Sequence, residues 1–143
     1  MILLDVNLLL YAVDADSPMN AKAKAWLERV MAGPETVAFP WITLLAFLRL
    51  TTKPRLFERP LSVEEAIEVA GRWLNQNAAL VVHPGPRHMD ILAGLLRPVG
   101  TGGNLTSDAH LAALAIEHGA VLCSCDNDFA RFQGLKWHNP LGS

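Results

Sequence analysis

Short runs of apolar residues alternate along this chain with longer segments whose apolar positions recur at helical spacing. Residues 1–4 are apolar without alternation and predict a buried strand, and residues 79–83 predict another buried strand. Residues 36–39 and 120–124 predict two further strands. A last short strand is predicted at residues 135–137. Strands separated in this way by helical segments favour a single α/β domain over residues 1–143, with a largely parallel sheet.

Helical segments lie between the predicted strands, and polar or turn residues mark several of their ends. Asn7 is a good N-cap for a first short helix, and Ser62 with Glu65 forms a capping box. Gly119 is expected to end the helix before the fourth strand. The helices are predicted at residues 8–12, 20–31, 41–52, 63–75 and 87–96, with a last long helix ending at 118.

Composition narrows the possible classes of protein. The chain has 143 residues, of which 51% are apolar and 18% charged, and this balance excludes disorder. With a net charge of −2, the chain lacks the excess of basic residues that is typical of nucleic-acid-binding proteins. This counts only weakly against nucleic acid, because acids clustered in one pocket would lower the total charge.

Cys123 and Cys125 are too close in sequence for an unstrained disulfide and have no second cysteine pair with which to form a zinc site. We interpret them as small buried residues of a protein in the reducing cytoplasm. No signal peptide or membrane-spanning segment is predicted, since charged residues or proline interrupt every apolar run.

Four aspartates follow predicted strands or open a predicted helix. Asp5 follows the first strand, Asp108 lies in the first turn of the long helix, and Asp126 and Asp128 follow the fourth strand. The carboxyl ends of parallel strands form the crevice in which open α/β sheets bind ligands. Carboxylates that converge there repel one another unless a cation holds them together, and Mg²⁺ prefers such oxygen ligands. The pattern favours metal-dependent phosphodiester chemistry.

Each aspartate also has an ordinary explanation when it is taken alone. Asp5 fits a strand-to-helix turn, and Asp108 is favoured near a helix N-terminus by the helix dipole. Asp126 and Asp128 fit an Asx turn with two solvated acids. Their shared placement at strand ends or helix starts favours functional clustering over coincidence.

Several segments, in order along the chain, resemble PIN-domain ribonucleases, specifically VapC-type toxins of toxin–antitoxin modules. They are residues 2–7, 105–113, 123–129 and the closing stretch 132–141. The resemblance implies a PIN-like three-layer α/β/α fold with a central, mostly parallel sheet of four to five strands. It further implies Mg²⁺ or Mn²⁺ as cofactor, cleavage of single-stranded or structured RNA, a cognate antitoxin and a homodimer.

The resemblance also assigns roles to individual residues. Asp5, Asp108 and Asp126 match the first, third and fourth acids of the family and are the expected catalytic metal ligands. Asp128 matches a further acid beside them and is expected to be catalytic with them, and Asn7 matches an auxiliary polar residue of the pocket.

The chain departs from the family pattern at one acid. The second family acid, usually a glutamate, is replaced by Ala46, and no Asp or Glu lies between Glu35 and Glu58. Asn104, one helical turn before Asp108, is an auxiliary candidate that would supply a neutral oxygen. Loss of a carboxylate should weaken metal binding without abolishing it, because Mg²⁺ often needs only one or two protein carboxylates.

Basic and apolar surfaces supply candidates for partner contact. Arg49, Lys53, Arg55 and Arg59 are candidates for RNA backbone contact, although a solvated loop explains them equally well. The apolar segments 8–11 and 41–50 are candidates for contact with an antitoxin or with a second copy of the chain.

Two other functions are compatible with the sequence. Ala46 motivates a catalytically weak PIN scaffold that acts by binding RNA or antitoxin. An acidic-pocket phosphoacceptor domain would need an acid after a middle strand, but His83 and Pro84 follow the third strand instead. The five histidines are scattered and are interpreted as surface or capping residues.

Overall fold

The centre of the fold is a parallel sheet of five strands in the order β3-β2-β1-β4-β5. The computed structural model describes residues 1–100, 102–103 and 105–142. The strands are β1 (Ile2–Leu4), β2 (Val37–Pro40), β3 (Ala79–Val82), β4 (Val121–Cys123) and β5 (Trp137–His138). Every pairing between neighbours is parallel, which confirms the predicted sheet.

Helices connect successive strands up to β4 and cover both faces of the sheet. They are α1 (Val6–Val13), α2 (Asn20–Ala32), α3 (Trp41–Thr51), α4 (Val63–Leu74), α5 (His88–Leu96) and α6 (Leu105–His118). Short 3-10 turns follow α5 at Arg97–Val99 and β4 at Asn127–Arg131. Within the residues that the structure describes, no helix is long and apolar enough to cross a membrane.

Two hydrophobic cores lie on opposite faces of the sheet, since successive strand residues point to opposite sides. Leu4 and Phe39 pack with α1 to α4 on one face, whereas Leu3 and Ala38 pack with α5 and α6 on the other. All four side chains are fully buried. The result is the predicted three-layer α/β/α architecture.

Local sequence signals account for several helix boundaries. The Ser62 side chain accepts a hydrogen bond from the Glu65 N–H while the Glu65 side chain accepts one from the Ser62 N–H, so the predicted capping box begins α4. Gly119, at φ 66°, follows α6 in the left-handed conformation that favours glycine.

Three predictions about individual residues are wrong. The first helix begins at Val6 and its N-cap is Asp5, not Asn7, because the Asp5 side chain accepts the Val6 N–H at 2.8 Å. The third strand lies at the edge of the sheet rather than buried within it, and Leu80 remains 45% exposed. His88 is buried rather than at the surface.

The two apolar segments proposed for partner contact have different environments. Leu8 and Leu9 are fully buried in the core, so these two side chains are not available to a partner. In contrast, Trp41 and Leu45 on α3 are 50% and 59% exposed. Of these two candidates, α3 is therefore the one that presents large apolar side chains to solvent.

Candidate active site

The central position of β1 brings together residues from the two ends of the chain. Leu4 pairs with Cys123, and the Asp5 N–H donates to the Cys123 carbonyl at 3.0 Å. Parallel pairing in this register places Asp5 beside Ser124 at the carboxyl edge of the sheet.

A buried serine connects the polar side chains at this edge. The Ser124 hydroxyl donates to Asp5 Oδ2 at 2.7 Å and accepts from Asn7 Nδ2 and the Asp126 N–H, each at 3.0 Å. Asn7 Oδ1 accepts the Cys125 N–H at 3.3 Å. Because Ser124 has no exposed surface, these contacts fix Asp5, Asn7 and the backbone of Asp126 relative to one another.

Three carboxylates converge beside this network. Asp108, Asp126 and Asp128 each offer an oxygen that lies within 4.8 Å of the others. Asp108 comes from the first turn of α6, and the other two come from the 3-10 turn after β4. The Asp126 side chain accepts the Asp128 N–H at 2.9 Å, which holds these two aspartates in a tight turn. Asp5 adjoins this group, and its charge acts on Asp108.

The carboxylates in this arrangement repel one another. Burial, followed by the charges of Asp126, Asp5 and Asp128, raises the pKa of Asp108 from 3.8 to about 6. Burial also raises the pKa of Asp5 above its usual range, although hydrogen bonds from Ser124 and Val6 oppose the shift. Strongly perturbed carboxyl groups in a cleft are typical of functional sites.

The chemistry of this site fits a hard divalent cation. Its donors are carboxylate oxygens, the ligands that Mg²⁺ and Mn²⁺ prefer, and their spacing allows one ion to contact more than one of them. A cation would also relieve the repulsion that raises the pKa of Asp108.

A cleft of about 490 Å³ opens beside Asp5 and Asp108. Ala46 and Arg49, which are three residues apart on α3, line the same cleft. Ala46 therefore faces the space next to the carboxylates, at the place where the family resemblance expects a glutamate. Arg49 is the one member of the predicted basic set that lines this cleft.

The other three residues of the predicted basic set do not line this cleft. Lys53, Arg55 and Arg59 are exposed in the segment between α3 and α4, and Arg59 pairs with Asp16 at 2.8 Å. Asn104 lies outside the described residues.

The sequence patterns did not predict the role of Ser124 or a histidine pair in which His88 is buried and His110 is partly buried. Ser124 carried no visible signal beyond its place after a strand. His88 Nε2 and His110 Nδ1 are 2.9 Å apart and join α5 to α6. Glu117 is 4.0 Å from His88 Nδ1 and accepts the N–H groups of Gly85 and Arg87. These contacts hold α5 against α6, the helix that carries Asp108.

The sequence of this chain matches a known protein family and several named proteins. The PIN domain family matches residues 2–135. Ribonuclease VapC37 of Mycobacterium tuberculosis (strain ATCC 25618 / H37Rv) is 49% identical over 138 residues, which are 96% of each chain. Ribonuclease VapC33 of the same strain is 43% identical over 141 residues, covering 99% of each chain.

Solved structures share the fold at lower sequence identity. The VapBC2 complex from Rickettsia felis, bound to a promoter DNA fragment, contains a chain that matches with a TM-score of 0.73 and 19% identity, covering 97% of this chain and 98% of that one. VapBC-1 from nontypeable Haemophilus influenzae matches with a TM-score of 0.70 and 18% identity, covering 99% and 100%. The resemblance noted in the sequence is thus confirmed, and the chain belongs to the PIN-domain family and is related along nearly its whole length to VapC proteins.

Proposed function

We propose that this protein is the toxin of a toxin–antitoxin module and acts as a metal-dependent endoribonuclease. The observation that carries the proposal is the convergence of Asp108, Asp126 and Asp128 beside Asp5, with the pKa of Asp108 raised to about 6. The names of the relatives as ribonucleases support the same activity.

Asp108 and Asp126, with Asp5 and Asp128 beside them, would hold Mg²⁺ or Mn²⁺. Such an ion, when bound, lowers the pKa of a coordinated water and stabilises charge on the phosphate oxygens. Ser124 and Asn7 keep Asp5 and the Asp126 backbone in place, so that little reorganisation accompanies substrate binding. Arg49, which lines the same cleft as Asp5 and Asp108, would contact the RNA backbone.

Partners and location follow from the same proposal. The matching structures from Rickettsia felis and Haemophilus influenzae are VapBC complexes, which supports a cognate antitoxin for this chain. Trp41, which is 50% exposed on α3, offers an apolar contact for an antitoxin or for a second copy in a homodimer. We also propose a cytoplasmic location, where cellular RNA is available as substrate.

The direct test is cleavage of total cellular RNA by purified, antitoxin-free protein with Mg²⁺, Mn²⁺ or EDTA. We expect discrete fragments that require the metal and disappear in Asp5→Asn and Asp108→Asn. Asp90→Asn is the matched control, because Asp90 is exposed on α5 outside the acidic site. Cleavage that persists in EDTA or in both site variants would refute the proposal.

A second function rests on Ala46, which leaves an uncharged wall where another metal ligand is expected. In that case the protein would be a PIN scaffold that binds RNA or antitoxin with little catalysis. Calorimetric titration with Mn²⁺ separates the two functions. Metal binding lost in Asp108→Asn supports the nuclease, whereas RNA binding without metal uptake supports the scaffold.

A further inference from the structure

The cleft beside the acidic site has both charged and apolar lining residues. Asp5, Asp108 and Arg49 supply its charged side chains. Most of the other lining residues are apolar: Ile42, Leu45 and Ala46 on α3, Leu111 on α6, and Val6, with Thr43 and Ser107 as the two polar ones.

Helix spacing places the lining residues of α3 on one face of that helix, and those of α6 on one face of theirs. Ile42, Ala46 and Arg49 are spaced by four and three residues and form one stripe along α3. Asp108 and Leu111 are three residues apart and form a facing stripe on α6. Each stripe therefore combines a charged side chain with apolar neighbours on one face of its helix.

We propose that this cleft is a nucleotide subsite, in which the base next to the cleaved phosphate packs against Ile42, Leu45, Ala46 and Leu111 while Arg49 contacts a neighbouring phosphate. The proposal rests on the ribonuclease function proposed above. Ala46 sets the depth of the subsite, because any larger side chain there would occupy the space between the two stripes.

Charge complementarity identifies RNA as the occupant. Phosphates flank each base along a single strand, so one phosphate at the carboxylate-bound cation and another at Arg49 would leave a base between them. Apolar side chains that pack on an unstacked base and a cation on the backbone are the usual elements of single-strand recognition. In the described residues Arg49 has no acidic partner within salt-bridge distance, and its guanidinium is free to bind phosphate.

The test combines subsite variants with RNA that lacks one base. The probe is a short oligoribonucleotide spanning a mapped cut site, intact or with an abasic ribose beside the cut. Binding is measured by fluorescence anisotropy with Ca²⁺, another cation that prefers oxygen ligands, in place of Mn²⁺, and cleavage is measured with Mn²⁺. We expect Ala46→Leu to weaken binding and cleavage of intact RNA about tenfold, a typical loss for one base contact.

The abasic probe distinguishes a base contact from a general defect. Loss of the base should weaken binding to the unmodified protein about as much as Ala46→Leu weakens binding of intact RNA. The two changes together should cost little more than either alone, because both remove the same contact. Additive effects of the two changes would overturn the proposal.

A second variant and matched controls distinguish loss of the subsite from misfolding of the protein. Leu45→Asn alters a side chain that is 59% exposed, so its effect on RNA does not depend on repacking the core. Ala25→Leu on α2 and Ile67→Asn on α4 repeat the two substitutions at exposed helix positions outside the cleft and should leave RNA binding unchanged.

The remaining outcomes separate this inference from the proposed function. If RNA is bound with the expected base dependence but is not cleaved, the nuclease fails and the subsite stands. If RNA is cleaved with no dependence on residue 46 or on the base, the subsite fails and the nuclease stands. If Ala46→Leu weakens only inhibition by the cognate antitoxin, the cleft binds that partner and the proposal is wrong.

Discussion

The Ser124 hydroxyl donates a 2.7 Å hydrogen bond to Asp5 Oδ2 across 119 positions of sequence. The hydroxyl oxygen of Ser124 in turn accepts hydrogen bonds from Asn7 Nδ2 and from the Asp126 N–H. One buried hydroxyl thus joins the end of β1 to the turn that carries two of the acids.

Ser124→Ala should destabilise the fold and weaken activity together. The substitution leaves the partly buried Asp5 carboxylate without its side-chain donor from Ser124, and an unsatisfied buried polar group costs about 1–3 kcal/mol. Urea unfolding followed by circular dichroism measures the change in the free energy of unfolding. Ser107→Ala, at an exposed position, is the control, and equal stability of the two variants would contradict the role given to Ser124.

Asp108→Asn should raise the thermal stability of the metal-free protein at neutral pH. The pKa of Asp108 rises from 3.8 to about 6 in the fold, so the protonated carboxyl favours folding. That contribution is complete below 3.8 and is lost as pH rises through about 6. The melting temperature of Asp108→Asn relative to the unmodified protein, measured in EDTA, should therefore increase from acidic to neutral pH. A constant difference would show that Asp108 is not perturbed.

Metal affinity should fall as the solution becomes more acidic. Protons compete with the cation for Asp108, whose pKa is about 6, and metal ligands must be deprotonated. Calorimetric titration with Mn²⁺ at a series of pH values should show weaker binding below pH 6, by up to about tenfold per pH unit for one displaced proton. Asp90→Asn should follow the same curve, whereas affinity independent of pH would exclude Asp108 as a ligand.

Ala46→Glu should tighten Mn²⁺ binding several-fold. Ala46 lines the cleft that also contains Asp5 and Asp108, so a glutamate there would add a carboxylate near the cation. Ala46→Gln is the matched control, since it has a similar size without the charge. Equal affinities for the two variants would show that residue 46 does not reach the metal.

The sequence was sufficient to predict the sheet and the helix order, because both depend on local patterns. Runs such as residues 120–124 mark strands by their apolar composition, and Ser62 with Glu65 marks a helix start by side chains within one turn. Asp126 and Asp128 were candidates because they directly follow such a strand.

Features that depend on distant pairing were missed. Asn7 and Asp5 are equally good N-caps by residue type. Asp5 is the N-cap in the structure because its side chain accepts the Val6 N–H, at the point where β1 ends beside β4. Ser124 and the His88–His110 pair have meaning only once α5, α6 and β4 are packed. The exposure of Leu80 followed from the position of β3 at the sheet edge, which no local pattern encodes.

The place of β1 between β2 and β4 has a consequence for protein synthesis. The first strand is synthesised well before its partner at Val121–Cys123 and before the carboxylates of Asp126 and Asp128, which lie far along the chain from it. Contacts between such distant segments form late, since a long loop has to close first. A growing chain would therefore carry Asp5 without the rest of the acidic site, and the site would be completed only after the segment through Asp128 has been made.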